Sequence, residues 1–341
     1  MFTLPGLGWE IEAYGLMLAL ALLVAWVVLG ALGRQDRLPP GPLGTAFVIG
    51  VGVGLVGARV AWVLQQPGSV PPAELWTFRG DQMAPLAGLT AAALVSGLHV
   101  MRRKVPVIAF YDVVAPGLVA GAMIERLGAL LSGIGFGDYA PDLPWAIRFP
   151  VGSPAYVEHQ RVVAELLPPG AEQSLPVHPT QIYGVVVAGV TLAVALAVRR
   201  RRRFSGQVFL VASITYLLGR ALVEDWFRAD AGAAVLGPFN TGQMGALAIA
   251  AAMGIVLWSR ARLAQYRPEA FRPWEGGRWT PNEGGGGAKG HGRSLDRATQ
   301  GPASSRDKAS SGRGQGQGKG KGKGKGKGKG KGKARRKKKR R

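Results

Sequence analysis

The chain has 341 residues, no cysteine, and 43 Lys plus Arg against 20 Asp plus Glu, for a formal net charge of +23. Residues 275–341 hold 22 of those cations and 4 of the acids, so the body, 1–274, stands near +5 and carries almost all of the apolar residues. That excludes an ordinary soluble domain with a mixed-charge surface, and it excludes disulfides, thiolate metal sites and a cysteine nucleophile.

A helix needs about 20 apolar residues to cross a bilayer. In chain order the body offers seven such runs with ragged ends: 13–32, 43–64, 84–101, 105–131, 179–198, 206–227 and 241–259. The first follows Met1–Glu12, which has no Lys or Arg, and is too long for the apolar core of a leader, so it reads as a span. The second carries Gly50, Gly52, Gly54 and Gly57, which suit close helix–helix approach in lipid. The third is the weakest, Ala- and Gly-rich with Pro85 near its start, and His99 at its inner end reads as interfacial. In the fourth, Asp112 with Tyr111 beside it reads as a structural hydrogen-bonding group.

Between the fourth and fifth runs lies 132–178, rich in Pro, Gly and aromatics and without a strong helical period. It reads as an ordered cap built of turns, because Trp145, Phe149 and Tyr156 are too apolar to be left loose; His159 within it reads as solvated. The fifth run opens with His178 at or near the cap position and Pro179 at the first helical position. From about 275 the chain turns Gly-rich, then alternates Lys and Gly from Lys319 to Lys333, and ends in a basic run. With no apolar residues to offset the ordering entropy, this tail is expected to be disordered.

Orientation follows from the loops. Those after runs one, three and five hold Arg34, Arg37, Arg102, Arg103, Lys104 and Arg199 to Arg203, ten cations in all. The alternate side holds four: Arg79, Arg148, Arg161 and Arg228. Cytoplasmic loops carry the excess of Lys and Arg. The expected architecture is therefore an all-α integral membrane protein with seven transmembrane helices. Its N-terminus lies outside and its C-terminus in the cytoplasm, with an outer-face cap between helices four and five.

Ionisable groups inside apolar spans are costly and mark function by default. Arg59, Arg126 and Arg220 are such groups. Arg59 and Arg220 lie about six or seven residues before the outer ends of their runs, roughly 10 Å in depth, and Arg126 lies in the last turns of run four. Tyr14 opens run one, and His178, Gln181 and Tyr183 open run five, at that same level. Glu224, one α-turn from Arg220, is placed to pair with it. Guanidiniums beside aromatics in the outer leaflet suit the phosphate of an anionic phospholipid. The plainer alternative for each arginine is snorkelling to the interface or an intramembrane ion pair. No metal-ligand spacing, nucleotide-binding glycine loop or cofactor motif stands out.

These residues fall in an order similar to that of the prolipoprotein diacylglyceryl transferase family. Tyr14-Gly15-Leu16-Met17 resembles the first-helix motif, and Gly57-Ala58-Arg59 the glycine–arginine pair of the second helix. Arg126-Leu127-Gly128 through Gly133 and Phe136-Gly137 resembles the signature segment, and Leu143 to Pro150 the stretch after it. His178-Pro179-Thr180-Gln181-Ile182-Tyr183 is close to the family's His-Pro-Ser-Gln-Leu-Tyr. Tyr216 to Arg228 resembles the Tyr-Gly…Arg…Glu…Arg helix, and Gly242-Gln243 the opening of the last one. The chain departs from the pattern at Leu86-Ala87-Gly88-Leu89, which lacks the family's helix-three histidine. It departs again at Ala129, Ser132, Ile134 and Gly184, where the family carries polar or acidic residues, and between Glu224 and Arg228, where a spacing one residue longer leaves Asp225 as the alternative to Glu224 for the family glutamate.

The resemblance implies seven spans and an enzyme that moves the diacylglyceryl group of phosphatidylglycerol onto the lipobox cysteine of a preprolipoprotein. A thioether forms and glycerol phosphate leaves, with no cofactor, at the bacterial inner membrane. It implies Arg126 and Arg220 on the phosphate, Arg59, Tyr14, Gln181 and Tyr183 around the lipid, and His178 or Glu224 deprotonating the thiol or orienting an arginine. The partners implied are phosphatidylglycerol, signal peptides and the membrane. A rival reading is the same scaffold binding anionic lipid or signal peptide without turnover. For the tail, the readings are non-specific attachment to nucleic acid or anionic lipid, or no dedicated partner at all.

Overall fold

The computed structural model of the chain describes residues 2–3, 10–11, 13–68, 70–76, 82–229, 234–271 and 273. All of them fall in the unit Met1–Pro281. Arg79 and the tail read as disordered from 275 lie outside the described residues.

Each apolar run folds as a helix. They are α1 (Ala13–Gln35), α2 (Pro40–Leu64), α3 (Pro85–Arg102) and α4 (Val107–Ser132), followed after a short α5 by α6 (Thr180–Arg201), α7 (Gln207–Gly219, continuing in tighter and wider turns to Phe227) and α8 (Thr241–Tyr266). Among the described residues, six of these are long and apolar enough to cross a membrane. The third, α3, is not in that set: its 18 residues are diluted by glycine, serine, threonine and His99. Small residues let α3 lie directly on α2. A Cβ added at Gly88 would stand 2.6 Å from the Gly54 carbonyl and 2.7 Å from the Ala58 methyl.

The exterior, unlike that of a water-soluble bundle, is as apolar as the interior. Leu64, Leu94, Ile255 and Trp258 face outward, an apolar exterior far larger than a soluble monomer tolerates. The interior holds two apolar clusters, one around Leu29, Leu43, Val100, Phe110 and Val113, the other around Ala115, Ala195, Val208 and Ala212. Two acids tie the helices together at one end of the bundle. Asp112 accepts from the backbone N–H of Gly206 (2.6 Å) and Phe209 (2.9 Å), so it caps α7, the structural role read from sequence. Asp36, just beyond α1, receives both Arg199 and Arg202 from the end of α6 at 2.8–3.0 Å, and Arg199 also donates to the Leu32 carbonyl.

The segment between α4 and α6 is ordered and contains a helix that the sequence reading lacked, α5 (Pro154–Val162). Ser153 caps it by accepting from the Tyr156 N–H, and Pro154 fills the first turn, a start signal present in the sequence. Phe136, Phe149, Ala155 and Val177 form its core and Tyr156 is buried. Trp145 departs from expectation at 60 % exposed, because it lies against the first turn of α6 and not in that core.

His159, read as solvated, is buried: its ring meets Phe136 edge-on and its Nδ1 accepts from the Leu175 N–H. Burial lowers its pKa below the ordinary 6.5, against an opposing pull from Glu158. The unfolded segment therefore takes up a proton that the folded one refuses. Its stability is full above about pH 6.5 and declines as pH falls below it. Protection factors of the 147–177 amides, taken relative to the intrinsic exchange rate at each pH, are expected to fall between pH 7 and 5, and His159→Gln should flatten that dependence.

Candidate active site

Except for Arg59, the sequence-marked residues gather where α4 and α7 end and α1 and α6 begin. At the centre, Arg126 Nη2 lies 2.8 Å from Glu224 Oε1, with only 12 % and 2 % of the two side chains exposed. Such a pair persists in a low-dielectric setting because each charge satisfies the other. On the preceding residue, Glu125 receives the Tyr14 hydroxyl (3.0 Å) and places Oε2 3.6 Å from Arg126 Nη1.

The expected Arg220–Glu224 pair does not form. The end of α7 widens into a π-turn over Arg220–Glu224 before a 3₁₀ turn over Asp225–Phe227. A π-turn aligns residues five apart where an α-turn aligns those four apart. Arg220 Nε therefore meets Asp225 Oδ2 at 3.2 Å, and Glu224 is turned inward to Arg126. Asp225 and Glu224 both act, each on its own arginine, and Arg228 lies 3.5 Å from Asp225 and 3.9 Å from Glu224. The wide turn is supported from α8, where Gln243 caps the helix with Asn240 and donates Nε2 to the Ala221 carbonyl at 2.9 Å.

Helix α6 begins one residue later than read, with Pro179 at the cap and Thr180 as the first helical residue. Gly184, one turn in, touches the central pair. A Cβ there would lie 2.8 Å from Arg126 Cδ and 2.9 Å from Glu224 Oε2. The sequence marked Gly184 as a lost acid; in the structure its missing side chain is what admits the arginine–glutamate pair against the helix backbone. His178 stacks on Phe227 at 4.6 Å, and its Nδ1 lies 3.2 Å from the Tyr183 hydroxyl, which also accepts from Trp145 Nε1.

Two predicted residues have other partners. Gln181 is buried and donates to the Ile134 carbonyl, which ties α6 to the turn after α4. Arg59, 1 % exposed, donates to the Leu75, Gln82 and Glu74 carbonyls and lies over Trp62. Through these carbonyls it organises the loop between α2 and α3. Glu125 was missed, although an acid inside an apolar span is itself a signal. Among the described residues, no group of three or more His, Asp or Glu side chains is arranged to hold a metal.

The sequence profile of the prolipoprotein diacylglyceryl transferase family matches residues 2–259. The chain is 32 % identical over 250 residues to the phosphatidylglycerol–prolipoprotein diacylglyceryl transferase of Geobacter sulfurreducens, covering 69 % of this chain and 85 % of that one. It is 30 % identical over 232 residues to the Thermus thermophilus enzyme of the same name, covering 64 % and 81 %. With that of Symbiobacterium thermophilum it shares 27 % over 261 residues, covering 75 % and 91 %. A match over this much of the body, on top of the arginine–carboxylate site, makes the chain a member of the prolipoprotein diacylglyceryl transferase family.

Proposed function

We propose that the protein transfers the diacylglyceryl group of phosphatidylglycerol to the lipobox cysteine of a preprolipoprotein, forming a thioether and releasing glycerol phosphate. The observation that carries this reading is a pair of arginines, each held by its own carboxylate, at one end of an apolar bundle. Arg126 is fixed by Glu224. Arg220 is 34 % exposed and, among the described residues, commits only Nε to Asp225, so its terminal nitrogens are available to a phosphate. Negative charge grows on the phosphate oxygen as its bond to glycerol carbon breaks. Guanidiniums already in place stabilise that charge without reorganising.

Tyr14 donates to Glu125 beside Arg126, and His178 orients Tyr183, whose hydroxyl also receives Trp145 from the capping segment. In this reading α3 is a seventh crossing, the N-terminus faces outward and the ends bearing Arg34, Arg102 and Arg199 face the cytoplasm, as the loop charges support. The chain then lies in the bacterial inner membrane with 132–178 on its outer face, and the 275–341 tail meets anionic lipid or nucleic acid in the cytoplasm without sequence preference.

The test uses the full chain in phosphatidylglycerol vesicles with a lipobox peptide. Thioether product is expected there and not in vesicles of phosphatidylcholine alone. Lipid binding without product would favour the binding-only scaffold. A further expectation concerns Gly184. Gly184→Ala displaces the Arg126–Glu224 pair, and misplacing a catalytic group by about 1 Å can cost about 10²-fold; turnover should drop by that order while the chain still inserts. An unchanged rate would mean that the contact relaxes without consequence.

A further inference from the structure

The transfer reaction needs a proton acceptor, because a thiol with an ordinary pKa near 8.5 is mostly protonated at neutral pH. The site holds three carboxylates. Glu224 is 2 % exposed and committed to Arg126; Asp225 is 11 % exposed and lies between Arg220 and Arg228. Glu125 is the most open, at 23 %. Its Oε1 takes the Tyr14 hydroxyl, while Oε2 stands 3.6 Å from Arg126 Nη1, within ion-pair range but beyond a hydrogen bond. One oxygen is held and the other is left for a donor. Around it stand Tyr14 from α1 and Arg126 on its own helix. Beyond Arg126 lie Glu224 and Tyr216 from α7, and Gly184 is what α6 presents there.

We infer that Glu125 accepts the proton of the incoming lipobox thiol, with Tyr14 fixing its carboxylate beside the phosphate-binding Arg126. The inference rests on the transfer reaction proposed above. The thiol proton passes to Glu125 Oε2, and the sulfur lone pair forms the C–S bond to the glycerol carbon that bears the phosphate. The C–O bond to phosphate breaks, and its electron pair leaves with glycerol phosphate against Arg126 and Arg220. The proton on Glu125 then passes to water at the partly exposed face. Adjacent residues on one helix thus place the base and the leaving-group cation within one short arc.

Glu125→Gln preserves size and an acceptor for Tyr14 but holds no proton-accepting charge. In the vesicle assay it is expected to lose about 10²- to 10⁴-fold at pH 7, the usual contribution of a positioned base. The loss should shrink as pH rises toward 9 and the thiol ionises unaided, with phosphatidylglycerol binding and thermal melting unchanged. Glu125→Asp should recover part of the rate, and Tyr14→Phe should cost less than Glu125→Gln. A Glu125→Gln rate within about threefold of wild type, or a loss equal at every pH, overturns the assignment. A similar pH-dependent loss confined to His178→Gln would move the role to that ring. An inactive wild type would instead overturn the underlying transfer reaction, so the two failures are distinct.

Discussion

Arg126→Ala should abolish thioether formation, by at least about 10³-fold, which is the order lost when one pre-placed donor to a developing anion is removed. Two effects act together. The variant deletes the phosphate anchor, and it strands Glu224, whose side chain is 2 % exposed and whose close partner is Arg126. Leaving a buried charge without its partner costs about 3–5 kcal/mol, so inactivity alone would not separate chemistry from folding. Two companions do. Arg126→Lys keeps a positive charge but not the planar fork that can serve Glu224 and a phosphate oxygen at once; it should fold and remain at least about 10²-fold impaired. The pair Arg126→Leu with Glu224→Leu removes both charges and should regain melting temperature in detergent without regaining product. If Arg126→Ala turns over within tenfold of wild type, the arginine is a structural partner of Glu224 and not a phosphate ligand.

The second large effect lies at the opposite ends of the helices. Asp36→Ala removes the carboxylate that holds Arg199 and Arg202, whose side chains are 9 % and 14 % exposed. Two guanidiniums then share a buried site without a counter-charge, a loss of about 3–5 kcal/mol. For a domain of this size that lowers the melting temperature by on the order of 10 °C. The active site is at the other end of α1 and α6, so the fraction that remains folded should turn over normally. Asp36→Asn keeps an acceptor and should fall between the two. A melting curve that superimposes on wild type would show that solvent or lipid headgroups already satisfy the two arginines.

Much of the fold was legible because lipid makes hydropathy almost a length measurement: α1, α2, α3, α4 and α6 begin and end within a few residues of their apolar runs, whereas α7 gives way to other turns before its run ends and α8 continues past its own. Depth was also legible, which is why Tyr14, Arg126 and the start of α6 were expected at one level. What sequence could not supply was rotation about each helix axis. The positions of Arg59 and Gln181 follow from the faces they present, and those faces put one on the loop after α2 and the other on the turn after α4. Gly184 looked like an absence because an alphabet records side chains and not the atoms of α4 and α7 that fill the space. His159 illustrates the same limit in the capping segment, where local polarity suggested water and tertiary packing supplied Phe136 and a backbone donor.

The π-turn at Arg220–Glu224 acts as a tooth of slack in a gear train. In a plain α-helix, one added residue would swing everything after it by about 100°, pulling Phe227 off His178 and Arg228 away from the acids. Confining the surplus to a single wide turn leaves both neighbours in mesh: Leu217 and Tyr216 still hold the helix above, and Phe227 still stacks below. The wide turn lets Asp225 hold Arg220 while Glu224 holds Arg126. Removing one residue from 221–223 should merge those two carboxylate duties into one while the helices on either side keep their aim.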